Sequence, residues 1–213
     1  MFVERYMTRD PVTIQEDRSI MEALQILCRN KIRKLPVMRG EELVGIVTSK
    51  DLKEGAPSEA TSLDRYELNY LLSTREIREL MTPDPVTIRP EVLIEQAALI
   101  MYQRQFESLP VVDAAGKLVG IITESDLFRY LVDLSGITEG GIVLDLVLPD
   151  VSGSIREVTD VMRSHGSRIL SILATYRDVQ PGYRRVMIRV KEGDLEAVKE
   201  EVRRKFPVVS VAG

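Results

Sequence analysis

MTRDPVTI at residues 7–14 returns as MTPDPVTI at residues 81–88, with one substitution between the copies. The correspondence runs on at an offset of 74, so that Ile20, Ala23 and Ile26 recur as Ile94, Ala97 and Ile100, and Leu35-Pro36-Val37 recurs as Leu109-Pro110-Val111. One extra residue in the second copy then moves the offset to 75, and GIVTSKDL (45–52) matches GIITESDL (120–127). A register held over a whole unit means one supersecondary structure built twice.

Within each unit the β-branched PVTI reads as a strand. Ile20, Ala23, Leu24 and Leu27 then fall at i, i+3, i+4 and i+7 behind a Ser19 to Glu22 capping box, which predicts an amphipathic helix. LPVM and LVGIV flank a turn at Arg39-Gly40-Glu41-Glu42 and read as a hairpin, repeated as LPVV and LVGII around DAAGK. A second helix follows from Ser49 or Ser125. Each unit is strand, helix, strand, strand, helix over about 45 to 50 residues, too few for a generous core, so the copies are expected to pack together. Between them, capping-box spacing from Thr61 to Asp64 predicts a linker helix over 61–74 that packs Leu63, Tyr66, Tyr70 and Leu71 against the pair.

Past Gly136 the pattern changes. IVLDLVL (142–148) alternates Ile142, Leu144, Leu146 and Leu148 on one face, as a half-buried strand does. A turn at Pro149 to Gly153 leads into a helix with Ile155, Val158 and Met162 on one side and Gly166 as its C-cap. RILSILATYR and RRVMIRV read as a hairpin, then a helix carries Leu195, Val198 and Val202, and PVVSVA closes as a strand. The order is βαββαβ.

The chain has 213 residues, 44% of them apolar, and a net charge of -4 with Lys and Arg interspersed among Asp and Glu. That composition suits a globular core and disfavours a nucleic-acid partner, which normally meets a basic stripe. A single cysteine fits a reducing compartment, MFVERYMTRD lacks a signal-peptide core, and no stretch approaches the roughly 20 apolar residues of a membrane span. A soluble cytoplasmic protein is expected. No Walker loop, G-x-G-x-x-G, H-E-x-x-H or G-x-S-x-G occurs, and one His with one Cys offers no evident nucleophile and base, so enzymatic activity is not expected. His165, before Gly166, is placed for a helix-dipole interaction, and Cys28 for a core or boundary position.

The motifs M-T-x-D-P-V-T-I, L-P-V and G-I-[VI]-T-x-x-D-L, repeated in order, resemble a tandem pair of CBS domains, a pseudo-twofold (Bateman) module whose clefts bind adenosine-containing ligands. The βαββαβ third, with its D-x-x-G turn, resembles an ACT domain, a fold that pairs between chains and in several families binds amino acids. Together they resemble the acetoin-utilisation regulatory proteins of bacteria. The resemblance implies an α+β chain with CBS units at 1–60 and 75–135 and an ACT-like domain at 137–213.

Thr48-x-x-Asp51 and Thr123-x-x-Asp126 have capping-box spacing; the resemblance implies that each Asp also holds ribose hydroxyls and each Thr contacts ribose or phosphate, and both roles can coexist. Thr13 and Thr87 either line the adenine side, as the resemblance implies, or face solvent from a strand. Pro36 and Pro110 stand in the matching L-P-V segments. Arg33-Lys34 precedes the first L-P-V and Glu107-Ser108 the second, positions that the resemblance brings near the ligand's phosphates. The expectation is a phosphate-tolerant cleft at Arg33 and Lys34, and a second one, with Glu107 and Ser108, that is weaker or takes a ligand of little anionic charge such as S-adenosylmethionine. The alternative for the basic pair is a solvated surface. Asp150, Ser152 and Gly153 are explained by a turn and helix cap, or by an amino-acid site that the resemblance implies. No metal site and no required cofactor are expected. The implied role is that of a homodimeric regulatory protein sensing AMP, ADP, ATP or S-adenosylmethionine, in acetoin or carbon metabolism; the alternatives are a ligand-free assembly module or a regulatory subunit of a separate enzyme.

Overall fold

A computed structural model describes residues 1–55 and 65–212. Thr61, Leu63 and Asp64, on which the expected start of the linker helix rests, lie outside them. The chain divides into two compact bodies, Met1–Leu127 and Phe128–Gly213.

In the first body, β1 (Thr8–Arg9), β2 (Ile14–Gln15), α1 (Ile20–Asn30), β3 (Lys34–Arg39), β4 (Glu42–Thr48) and α2 (Ser49–Gly55) are followed by α3 (Arg65–Thr74). The second copy supplies β5 (Thr82–Pro83), α4 (Ile94–Arg104), β6 (Ser108–Val112), β7 (Leu118–Thr123) and the start of α5 (Glu124–Ser135). The Ser19 to Glu22 capping box opens α1 as expected. Ile20, Ala23 and Leu27 then bury against Leu35, Val37, Val47 and Leu52.

The two copies exchange their first strands. β1 pairs with β7 of the second copy, Thr8 opposite Ile121 and Arg9 opposite Gly120, while β5 pairs with β4 of the first, Ile46 opposite Thr82 and Gly45 opposite Pro83. The residues around them follow. Val3 and Glu4 donate N–H bonds to the carbonyls of Val92 and Pro90 at 2.9 and 3.0 Å, and Ile77 and Arg78 donate to those of Arg18 and Glu16 at the same two distances. The sheets are therefore β1-β7-β6 and β2-β3-β4-β5.

This arrangement corrects the reading of PVTI as a strand. Only Ile14 enters one, and Ile88 makes a single bridge to Val111. Pro11 and Pro85 have no N–H to give a ladder, and Asp10 and Asp84 before them turn left-handed, at φ 46° and 47°. The strand-forming residues are instead those just upstream of each Asp. The packing face expected for the linker helix is also different. Tyr66 and Tyr70 are exposed, and Leu72 packs against the first copy's core. Cys28 is exposed as well, since α1 buries the face of Ile20, Ala23 and Leu27 and turns Cys28 outward.

The second body holds β8 (Ile142–Pro149), α6 (Ser154–Ser164), β9 (Arg168–Thr175), β10 (Tyr183–Lys191), α7 (Leu195–Lys205) and β11 (Val208–Ala212). They form an antiparallel sheet in the order β11-β8-β10-β9, the βαββαβ arrangement anticipated from the sequence. Ile142, Leu144, Leu146 and Leu148 bury together with Val158 and Met162 of α6 and Val198 and Val202 of α7. No described helix of the chain is long and apolar enough to cross a membrane.

His165 ends α6, and its Nε2 lies 2.6 Å from Oε2 of Glu201 on α7, which also accepts from Lys205. Lys205 and then His165 hold the Glu201 carboxyl down from 4.5 to about 2. A carboxylate depressed in this way stabilises the folded state above its unfolded value, and that contribution is lost as the pH falls through the folded one. Acid titration followed by circular dichroism should thus show wild type losing stability relative to Glu201→Gln between pH 4.5 and about 2, and equal slopes would exclude the linkage.

Candidate functional site

Within the first body a cavity of about 580 Å³ opens between the two copies. The first copy contributes Asp10, Pro11 and Val12 from its left-handed turn, Lys31 to Lys34 from the end of α1 into β3, and Pro36. The second contributes Glu107, Ile121 and the run Thr123 to Asp126, where β7 passes into α5. The volume falls in the range of small-molecule sites.

Both Thr–Asp pairs close across a helix start, and Thr48 with Asp51 makes the reciprocal capping box. Thr123 donates its N–H and its hydroxyl to Oδ2 of Asp126, at 2.9 and 2.8 Å. Thr48 does the same to Oδ2 of Asp51, both at 2.8 Å, and its Oγ1 accepts the Asp51 N–H at 3.2 Å. Each carboxylate is thereby held rigidly at a helix start with both of these bonds on one oxygen. Asp126 is buried.

Arg33, Lys34 and Pro36 are brought together with Thr123 and Asp126, so the basic pair of one copy faces the Thr–Asp pair of the other. Thr13 is half-buried and does not line this cavity, whose wall is made by Pro11 and Val12 instead. Thr87 is exposed, Pro110 is buried, and Ser108 is buried opposite Thr123 in the β6–β7 ladder. Thr48 lies opposite Lys34 in the β3–β4 ladder, and neither it nor Asp51 lines this cavity.

One placement corrects the expected division of charge between two clefts. Glu107 lines the same cavity as Arg33 and Lys34, and the Lys34 ammonium donates to its carboxylate at 3.2 Å. Glu107 stands just before β6, from which its long side chain reaches across to the first copy. Along the walls Lys31, Arg33 and Lys34 therefore meet Asp10, Glu107, Glu124 and Asp126. Asp10, Pro11, Val12 and Lys31 were missed as lining residues. The signal for the first three was the Asp-Pro of the repeat, whose left-handed turn carries the chain past the cleft; Lys31 ends α1 in the same left-handed region.

In the second body Ser152 and Gly153 are exposed. Gly153 is the N-cap of α6 at φ 93°, without a side-chain cap bond, a conformation that glycine adopts without strain. Asp150 is engaged by Arg184, Nη1 to Oδ1 at 3.6 Å, and Arg184 Nη2 also donates to the buried Ser154 hydroxyl at 2.9 Å.

The sequence model of the CBS domain matches residues 3–57 and 77–133. The chain belongs to the CBS domain family. Among curated relatives of this CBS pair, the inosine-5'-monophosphate dehydrogenase of Korarchaeum cryptofilum is 34% identical over 125 residues, which are 59% of this chain and 23% of that enzyme. The CBS pair thus corresponds to about a quarter of that relative's length. Among solved structures, CBSX2 in complex with AMP is 33% identical with a TM-score of 0.51, over 62% of this chain and 96% of its own. The CBS domain pair of protein MJ0100, in complex with 5'-methylthioadenosine and S-adenosyl-L-methionine, is 30% identical with a TM-score of 0.51, over 62% and 99%.

Proposed function

We propose that the CBS pair of this chain is a sensor of an adenosine-containing ligand, held in the cleft between its copies. The observation that carries this reading is the meeting of Arg33 and Lys34 with Thr123 and Asp126 in one cavity of ligand size. A rigid carboxylate suits the two hydroxyls of a ribose, and cations on the opposite wall suit a 5' substituent carrying phosphate. The relatives solved with AMP and with S-adenosyl-L-methionine support the same ligand class. Sensing requires that the ligand bind two arrangements of the protein with different affinity.

The second body serves as an ACT-type module for pairing two chains or for reading an amino acid, supported by its βαββαβ order. The protein works in the cytoplasm as a regulator in acetoin or carbon metabolism, alone or on a separate enzyme, supported by the resemblance of its sequence.

Calorimetric titration of the full chain with adenosine, AMP, ADP, ATP and S-adenosylmethionine tests the core of the proposal. Micromolar binding, about -8 kcal/mol, is expected for at least one of them. Arg33→Met should weaken AMP about tenfold while leaving adenosine nearly unchanged, because only AMP presents a phosphate. Absence of heat with every ligand, in protein freed of carried-over nucleotide, would point to an assembly module.

A further inference from the structure

The Lys34 side chain is 12% exposed, whereas its partner Glu107 is 70% exposed and comes from the other copy. An ammonium on a largely covered side chain favours a nearby counter-ion. Here the counter-ion is a mobile type of side chain at the rim of the cleft, and a ligand phosphate must displace it from Lys34 and then remain beside a carboxylate of the same sign. A neutral or zwitterionic 5' substituent faces neither demand.

Resting on the adenosine reading above, we propose that Glu107 is the charge filter of this cleft. It occupies Lys34 and so sets the preference toward adenosine derivatives whose 5' substituent carries little or no net negative charge, with AMP next and ATP last. The walls agree with this order, since the three cations are already outnumbered by carboxylates. The role of Glu107 follows from the cross-copy contact, because its position in the repeat matches Arg33 of the first copy.

The test is titration of the full chain and of Glu107→Gln with adenosine, AMP and ATP at low salt, counting the heat that Asp126→Asn removes. Adenosine affinity should stay within about twofold, AMP should tighten about fivefold and ATP about tenfold or more, as expected for removing one negative charge near the phosphates. The gain should shrink as salt rises. In a Lys34→Met background the same substitution should give AMP much less, since the two side chains act as a pair. An equal change for adenosine and ATP, or no change while AMP binding is measurable, overturns the filter. If none of the three ligands binds any variant, it is the adenosine reading that fails.

Discussion

Replacing Asp126 with Asn is expected to weaken AMP or S-adenosylmethionine in the described cleft by about a hundredfold, or ~2–3 kcal/mol, the scale of hydrogen bonds to a charged acceptor. Asp126 is buried at the start of α5, where Thr123 fixes its carboxylate through two bonds to Oδ2. Asn keeps an oxygen that can accept from Thr123 but removes the charge, so the cap should lose no more than about 1 kcal/mol of stability. Calorimetry and a thermal melt on the same sample separate the two effects. Asp51→Asn is the control: Asp51 does not line this cavity, and its substitution should leave binding there unchanged. Equal losses from both variants would mean that the Thr–Asp motifs act only as helix caps.

The other large effect concerns the exchanged strands. A Cβ placed on Gly120 would stand 2.6 Å from Met7 Sδ and 3.0 Å from the Thr8 carbonyl oxygen. One on Gly45 would meet Met81 Sδ at 2.5 Å and the Thr82 oxygen at 3.1 Å. Each glycine is the seat on which the other copy's Met-Thr lies. Gly120→Ala and Gly45→Ala should each destabilise the protein by about 1–3 kcal/mol, a typical cost of overpacking, visible as a lowered denaturation midpoint in urea. In a Gly120→Ala background, Met7→Ala should cost less than it does alone, because the added methyl and the thioether compete for one space. Additive losses would show that the Met7 contact with Gly120 does not form in solution.

The repeat made most of the fold legible, and the reason lies in particular residues. Ser19 with Glu22 and the spacing of Ile20, Ala23 and Leu27 specify α1 locally, through a cap and one apolar face. The alternation of Ile142, Leu144, Leu146 and Leu148 likewise announces a half-buried strand. Thr48, Asp51, Thr123 and Asp126 were recognisable because a capping box is a short-range pattern. PVTI misled for the converse reason. Its β-branched residues have strand propensity, but a proline without an N–H and a left-handed Asp leave it little ladder to join.

Neighbours along the chain thus specify the unit and its duplication, the helix caps, the hairpins and the βαββαβ order of the last third. Contacts between the copies fix the rest: which copy each first strand joins, the meeting of Arg33 and Lys34 with Thr123 and Asp126, and the reach of Glu107 to Lys34 across 73 positions of sequence. Two copies of one unit offer each MT-x-D segment corresponding edges, β4 and β7, and local propensity cannot rank them. The observed pairing seats Met7 on Gly120 and Met81 on Gly45 and is accompanied by contacts far apart in sequence, the N–H bonds of Val3 and Glu4 to the carbonyls of Val92 and Pro90 and the Lys34–Glu107 ion pair, which form only once the two copies have closed on each other.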